Sequence, residues 1–242
     1  MSNFIFSPSN LKTFVQCPYK FKVMNVDKSV PYVQSEAAKR GEKLHALMEN
    51  AVNQGWDAVS KEYTDEKSYA YAQGFISMVW NLKNSGWIVR TETEFATDGR
   101  GNPVDYWDKT DKNFLRCRID LWAVHPEKAT TLIFDWKTGK VYDCDRLQLQ
   151  ANAVCMKAKH KTDKYLIAFC YLDSGAVKQE EIDIGDVDLF ESDPLKFACS
   201  PCLELLSAID DARRAFAENK FIKTKNMFCK WCAVKDCEFS GA

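Results

Sequence analysis

An acid and a base stand two residues apart in the stretch Thr130-Thr131-Leu132-Ile133-Phe134-Asp135-Trp136-Lys137. As a strand, this stretch puts Ile133, Asp135 and Lys137 on one face and Leu132, Phe134 and Trp136 on the other, so carboxylate and ammonium project side by side. Taken alone, the pair reads as a salt bridge. The preceding apolar run, Phe114 to Val124, carries a second acid, Asp120, inside Arg118-Ile119-Asp120-Leu121-Trp122. A carboxylate there needs a partner, because burying an unpaired charge is costly. Two neighbouring strands offering Asp120 and Asp135 to one spot form a hard-cation site suited to Mg2+ or Mn2+, and Lys137 would stand beside the ion. Phosphodiester hydrolysis uses this combination. The metal polarises the phosphate and acidifies a water, while the lysine positions that water or neutralises developing charge.

Cysteines are the second chemical feature: the chain has ten, many for a sequence whose first ten residues show neither a basic start nor an apolar run. Cys229-Lys-Trp-Cys232 is followed by Cys237, and Cys199-Ser-Pro-Cys202 lies upstream. A Cys-x-x-Cys turn lets two thiolates reach one metal atom, and Cys237 adds a third. A structural zinc held by Cys199, Cys202, Cys229 and Cys232 is one solution, since paired Cys-x-x-Cys motifs are a common zinc arrangement. Against it, Ser200-Pro201 reads as a helix start, which leaves Cys199 and Cys202 explicable as local packing. Cys117, Cys155 and Cys170 sit singly in apolar or amphipathic runs as small core residues. Cys144 is a single, uninformative position.

The elements that must position these groups follow from periodicity. Ser7-Pro8-Ser9-Asn10 starts a helix with Leu11, Phe14 and Val15 on its apolar side, and Pro18 ends it just after Cys17. A helix over 34–54 places Ala37, Gly41, Leu44, His45, Met48 and Ala51 on one face. Another over 67–85 runs through Tyr71, Phe75, Met78, Val79 and Leu82 and closes at Gly86. Strands are expected over 87–96, 114–124 and 130–137, then a helix over 145–158 and strands over 164–171 and 176–184, with Asp173-Ser174-Gly175 as their turn. A long helix over 200–219, with Pro201 at its first position, precedes the cysteine-rich tail. This order gives an α/β (α+β) fold, a mixed central sheet flanked by helices.

At 242 residues, 46% hydrophobic and 28% charged, the chain has room for one core, and disorder and collagen-like repetition are excluded. It reads as a single domain: a helical part over 1–86, a sheet core over 87–184 and a helix with cysteine segment over 185–242. No apolar run approaches the roughly 18 residues that span a bilayer, so no membrane partner is expected. The net charge of −1 removes the simple argument from basicity to nucleic acid, but the distribution is dipolar. Residues 1–45 and 220–237 are rich in lysine and 173–193 in acids, which suits a polyanion approaching one side and equally a solvated mixed surface. Tyr19, Phe21, Trp231 and Phe239 lie among the terminal lysines, where they either stack bases of a single strand or cover the cysteine site.

Taken in order, these motifs resemble the PD-(D/E)XK nucleases, and within them the RecB-like, CRISPR-associated exonuclease branch that carries an iron-sulfur cluster. Cys17-Pro18-Tyr19-Lys20-Phe21 is similar to that branch's first cluster cysteine, and Gly41-Glu42-Lys43-Leu44-His45 to its metal-ligating Gly-x-x-x-His. Arg118-Ile119-Asp120 resembles the metal aspartate motif and Asp135-Trp136-Lys137-Thr138-Gly139 the Asp-x-Lys-Thr-Gly signature. Gln148 falls where the family has Gln-x-x-x-Tyr, although Asn152 replaces the tyrosine and is able to hydrogen-bond a nucleotide or the lysine.

The resemblance implies a restriction-endonuclease-like core with His45, Asp120, Asp135 and the Trp136 backbone carbonyl on Mg2+ or Mn2+, Lys137 at the attacking water, and Gln148 contacting substrate or orienting the lysine. It further implies a 4Fe-4S cluster on Cys17, Cys229, Cys232 and Cys237 that joins the two ends of the chain. Glu94 is a further candidate for the acidic site; an exposed glutamate-rich edge explains both Glu92 and Glu94 as simply. The expected activity is metal-dependent DNA exonuclease action on single-stranded or end-exposed DNA in the cytoplasm (the host's, for a phage source), with recombination or replication proteins as possible partners. The alternatives are a non-catalytic DNA-binding or recombination-complex subunit with this fold, and a zinc-dependent interaction protein.

Overall fold

A computed structural model describes residues 4–60, 66–108, 110, 112–142, 145–162, 164–191 and 194–241; Cys144 lies outside them. Helix α1 (Pro8–Gln16) starts at a capping box: Ser7 Oγ accepts from the Asn10 N–H at 3.3 Å, and Asn10 Oδ1 accepts from the Ser7 N–H at 2.9 Å. It stops at Cys17, which is extended because Pro18 follows. Cys17 then caps the short α2 (Pro18–Phe21), its sulfur accepting from the Lys20 N–H at 3.5 Å. A single π-helical turn, Lys22–Val26, follows.

Helix α3 (Glu36–Gln54) is capped by Ser35 and ends at Gly55 with φ 96°, a conformation that glycine adopts without a Cβ penalty. Its buried stripe is Leu44, Leu47, Met48, Ala51 and Val52. Ala37, expected on that stripe, is exposed, and the buried residues of α3 begin only at Leu44. A short α4 (Trp56–Val59) leads to α5 (Glu66–Asn84), on which Phe75, Ile76 and Val79 are buried while Tyr71 stands at the margin. On α1, Leu11 and Phe14 are buried but Val15 is 60% exposed, so the apolar side is narrower than its spacing suggests.

Strands β1 (Ile88–Thr97), β2 (Leu115–Val124), β3 (Thr130–Lys137), β4 (Lys164–Tyr171) and β5 (Val177–Asp183) form one sheet in that order. All neighbours are antiparallel except β3 and β4, which are parallel and joined by the crossover helix α6 (Arg146–His160). Helices α1, α6 and α8 (Leu203–Ala217) cover one face around Leu11, Ile119, Ile133, Leu149, Ile167 and Ile209. Helices α3 and α5 cover the other around Leu47, Met48, Val79, Leu121 and Trp136. A short α7 (Pro194–Ala198) precedes α8. Helix α8 begins at Leu203 rather than Ser200, because Ser200 Oγ takes the Cys202 N–H in a turn that contains Pro201.

The two ends of the chain meet. The Tyr19 N–H bonds the Ile222 carbonyl at 3.1 Å, and the Asn226 amide bonds the Gln16 carbonyl at 2.9 Å. Phe21 is fully buried in this seam with Phe4, Phe14, Phe216 and Phe221 around it, so it is a core residue and has no free face for a base. Among the described residues no helix is long and apolar enough to cross a membrane.

Candidate active site

The site forms where the sheet loses its regularity. Strands β1 and β2 pair Thr91 with Leu121 and Thr93 with Ile119; between these pairs, Glu92 stands opposite Asp120 without joining the ladder. Glu92 has φ 43°, a left-handed conformation that costs a non-glycine residue about 1–2 kcal/mol. Its effect is to reverse the alternation. Val89, Leu121 and Ala123 pack in the α3/α5 layer, whereas Phe95, Cys117 and Ile119 pack in the α6 layer, although all six are odd-numbered. The pairing of β2 with β3 likewise stops at Leu121 and Phe134. One step further, where Asp120 would oppose Asp135, the Trp136 N–H donates to Asp120 Oδ2 at 2.8 Å instead. Three carboxylates therefore collect at one parting of the strands.

Helix α3 brings His45 to this point, with Nδ1 3.3 Å from Asp120 Oδ2. One ligand atom from each of His45, Glu92 and Asp120 lies within 4.8 Å of the others, a spacing that one cation can bridge. On the α6 side, Asp135 Oδ1 accepts from Gln148 Nε2 at 2.6 Å, and Gln148 Oε1 accepts from Lys137 Nζ at 3.1 Å. Gln148 sits in the first turn of α6, where the capping Asp145 carboxylate takes its N–H. Lys137 Nζ is also 2.5 Å from Asp135 Oδ2, but out of hydrogen-bonding line, so that buried oxygen has no aligned donor. Trp136 is itself buried against Phe75 and Phe134 and so anchors the strand that presents both charges.

The electrostatics follow from this crowding. Burial first, then the Asp120 charge, push the Glu92 carboxyl up to about 7, despite Arg118 and His45 nearby. Burial and Asp120 raise Asp135 as well. Burial disfavours the His45 imidazolium, but its hydrogen bond to Asp120 and the surrounding carboxylates outweigh that and raise it to about 9. Burial also opposes the Lys137 charge, and Asp135 and Asp120 override it, so the lysine stays an ammonium. A cluster whose acids hold protons when no cation is present is one that a cation relieves. Two carboxylates, an imidazole and a buried carboxylate oxygen without an aligned donor fit a hard divalent ion.

A clasp outside the site fixes the two layers that meet there. Arg40 on α3 grips both oxygens of Asp173, at 2.6 and 2.9 Å; Ser68 Oγ and the Gly139 N–H bind the same carboxylate at 2.7 and 2.6 Å. The Arg40 hydrogen bonds, followed by the one from Gly139, hold the Asp173 carboxyl far below the usual range in spite of partial burial. Helix α3 with His45 is thereby tied to the turn just after Lys137.

The sequence missed Glu92 as a member of the site and offered Glu94. In the structure Glu94 accepts from Arg118 at 3.2 Å and from Trp107 Nε1 at 3.0 Å and is not part of the His45 group. The reversal that turns Glu92 inward has no local signature, since glutamate does not advertise a positive φ.

The four cysteines from the two ends line one small cavity: Cys17, Cys229, Cys232 and Cys237, with Tyr19, Lys20 and Asn226. Cys229 Sγ accepts from the Asn226 N–H at 3.4 Å. Among the described residues no three cysteine sulfurs lie within 4.8 Å of one another. Cys202 is fully buried at the start of α8 with its thiol pushed up to about 12 by burial, Cys199 is exposed, and neither lines the cavity. Trp231 is 72% exposed, so it does not cover the cysteines. Cys117, Cys155 and Cys170 are buried core residues, as their settings in the sequence suggest.

Comparison with known proteins bears on the fold and the family. None of the curated proteins compared with the chain matches it. Among solved structures, one described as "Crystal structure of SSO0001" shares 15% identity with it at a TM-score of 0.50, covering 99% of this chain and 89% of the other; at that identity the likeness is one of fold. The sequence profile of the PD-(D/E)XK nuclease superfamily matches residues 5–237, and this span holds the parted strands, His45 and the Asp-x-Lys pair; the chain belongs to the PD-(D/E)XK nuclease superfamily.

Proposed function

We propose that the protein is a divalent-metal-dependent deoxyribonuclease that degrades DNA from single-stranded or exposed ends. The observation that carries this reading is the convergence of His45, Asp120, Asp135, Lys137 and Gln148 at the parting of β2 and β3. His45, Asp120 and Asp135 would hold Mg2+ or Mn2+ with the Trp136 carbonyl, and Glu92 joins them by its position. When bound, the ion supplies phosphate polarisation and a more acidic water. Lys137 holds a positive charge and donor protons at the place of the attacking water. Gln148 fixes that ammonium by accepting from it while its amide nitrogen holds Asp135. All the parts of a hydrolytic site are retained, which argues against a non-catalytic subunit.

For the cysteine end we favour a 4Fe-4S cluster on Cys17, Cys229, Cys232 and Cys237. All four line the cavity that joins the chain ends, which Cys199 and Cys202 do not, and N–H groups directed at Cys17 and Cys229 suit cluster sulfurs. Reduced cysteines and a cluster fit a cytoplasmic setting.

The deciding experiment is digestion of linear and circular DNA, single- and double-stranded, by anaerobically purified protein with Mn2+. Degradation of linear DNA to short products is expected. Absence of cleavage in every form, with the metal bound, would overturn the enzymatic reading.

A further inference from the structure

The loop between β1 and β2 carries two aromatic residues, Tyr106 and Trp107, to the margin of the crevice. Trp107 is 65% exposed, whereas Trp87, Trp122 and Trp136 are buried. Its ring is nevertheless held in place. The indole N–H donates to Glu94 Oε2 at 3.0 Å, the main-chain N–H donates to Asp105 Oδ1 at 2.8 Å, and the Tyr106 ring meets the indole edge-on at 5.1 Å. Arg116 backs Tyr106 in turn, lying over its ring at 4.8 Å and donating to its carbonyl at 3.4 Å. The polar edge of the indole is thus satisfied while most of its apolar surface stays in solvent.

Glu94 connects this ring to the metal-facing carboxylates. Its Oε1 accepts from Arg118 Nη2 at 3.2 Å, and Arg118 Nε lies 3.7 Å from Oε2 of Glu92, a member of the His45 group. Glu94 stands two residues from Glu92, about 7 Å along extended chain, a distance that a nucleotide of a single strand can bridge. Tyr106, Arg116 and Arg118 also line a groove of about 480 Å3 with Lys12, Asp145 and Gln148. Three cations against one acid suit an anionic chain, and Gln148 leads it to Asp135 and Lys137.

We propose that Trp107 is a stacking platform for an unpaired base, about one or two nucleotides from the scissile phosphate, with Arg116, Arg118 and Lys12 meeting the flanking phosphates. The proposal rests on the nuclease reading for the nature of the polymer and goes beyond it in naming the strand form. Every base has a π-face, so stacking on an indole tolerates any sequence. A base in a duplex is already stacked on its neighbours, so the platform favours a single strand. Glu94 acts as the positioning residue, because a ring fixed before binding loses less freedom when the base arrives. The cations place the strand without reading it.

The test measures binding of a labelled single-stranded octamer, and of the blunt duplex of the same sequence, by fluorescence anisotropy with Mg2+ present. A Lys137→Ala background keeps the DNA intact. Trp107→Ala should weaken single-strand binding by about fivefold or more and duplex binding by less than about twofold, while Trp107→Phe, which keeps a ring, should recover most of the loss. No measurable single-strand binding by the parent, unchanged binding in Trp107→Ala, an equal loss on the duplex, or a Phe variant as weak as the Ala variant would each overturn the platform. Octamers lacking one base at a time give a readout on the parent itself: one position should matter more than the rest, and that dependence should vanish in Trp107→Ala. Equal binding of all these octamers by the parent would also overturn the proposal. The nuclease reading fails separately. Unaltered protein that cuts nothing with Mn2+ while the Trp107-dependent single-strand preference persists would refute catalysis and keep the platform, and cleavage with Trp107-independent binding would do the reverse.

Discussion

The carboxylate crevice and the cysteine cavity both gather residues from distant parts of the chain, but they are held in opposite ways. In the crevice every charged group already has a protein partner: Trp136 N–H on Asp120, Gln148 on Asp135 and Lys137, Asp120 on His45. Behind them stand two core layers and the Arg40–Asp173 clasp. The cavity rests on α2, one 3-10 turn (Met227–Trp231) and extended chain, fastened to each other by a few main-chain bonds. Ions in the first region act on a prebuilt site, whereas a cluster in the second would be part of the structure that joins the two ends. Function and stability should therefore separate between the regions.

The sharpest way to break that separation is at Lys137 and Asp120. Lys137→Ala and Asp120→Asn should each lower DNA cleavage by at least about 10²–10³-fold, while the metal-free melting temperature stays within a few degrees or rises for Asp120→Asn, which relieves like-charge crowding and keeps an acceptor for the Trp136 N–H. Nuclease assays and calorimetry on the same preparations decide. Activity within a few-fold of the unaltered protein in either variant would remove both residues from the site.

Cys229→Ser should do the reverse, bleaching visible absorption and lowering the melting temperature, with Cys199→Ser doing neither. Visible absorption from iron-thiolate ligation and thermal melting report the outcome. A colourless protein in which Cys199→Ser, and not Cys17→Ser, releases the metal would turn the assignment back to zinc.

The clasp predicts an intermediate effect. Asp173→Asn leaves one oxygen acceptor but loses the charge that Arg40 grips, so the position of His45 relative to Lys137 loosens. Mn2+ should bind roughly tenfold more weakly, the range seen when groups that orient metal ligands are removed. The half-saturating metal concentration then moves while the rate at saturating metal changes less. Equal metal titrations for both proteins would show that the clasp serves folding alone.

How much of this was legible depended on whether chemistry was written in local spacing. Asp135 and Lys137 share a face by simple alternation, and their neighbours Ile133 and Trp136 fall in opposite core layers as expected. The five strands and the helix between the third and fourth were legible from periodicity, whereas their order in the sheet was not, since the long connection over 98–114 leaves the pairing of β1 with β2 unspecified. Glu92 was not legible, because its inward turn comes from a backbone reversal at φ 43° that depends on the opposed Asp120 strand. The start of α8 was misplaced for a similar reason, since a proline that suits a first helical turn suits the preceding turn equally well. Phe21 looked like a stacking residue among lysines, yet four other phenylalanines from both ends close over it, a contact visible only in three dimensions.

The smallest expected effect is a pH dependence of the crevice alone. In metal-free protein Glu92 holds its proton up to about 7, above the ordinary carboxylate value, and His45 holds its proton up to about 9. In both cases the folded state binds the proton more tightly than the unfolded chain does, so stability declines as pH rises. The Glu92 part is lost between the ordinary glutamate range and about 7, and the His45 part between the ordinary histidine range and about 9. Asp173 has the opposite sign, but its carboxyl is depressed, so its contribution changes only at more acidic pH. The metal-free melting temperature should therefore fall by roughly 2–4 °C per kcal/mol lost across this window, and Glu92→Gln should flatten the acidic half of the slope. Mn2+ displaces the same protons, so its affinity should rise with pH and the slope with saturating metal should weaken or reverse. A melting temperature that rises with pH in EDTA would show that the crowded carboxylates are not the groups that govern this region.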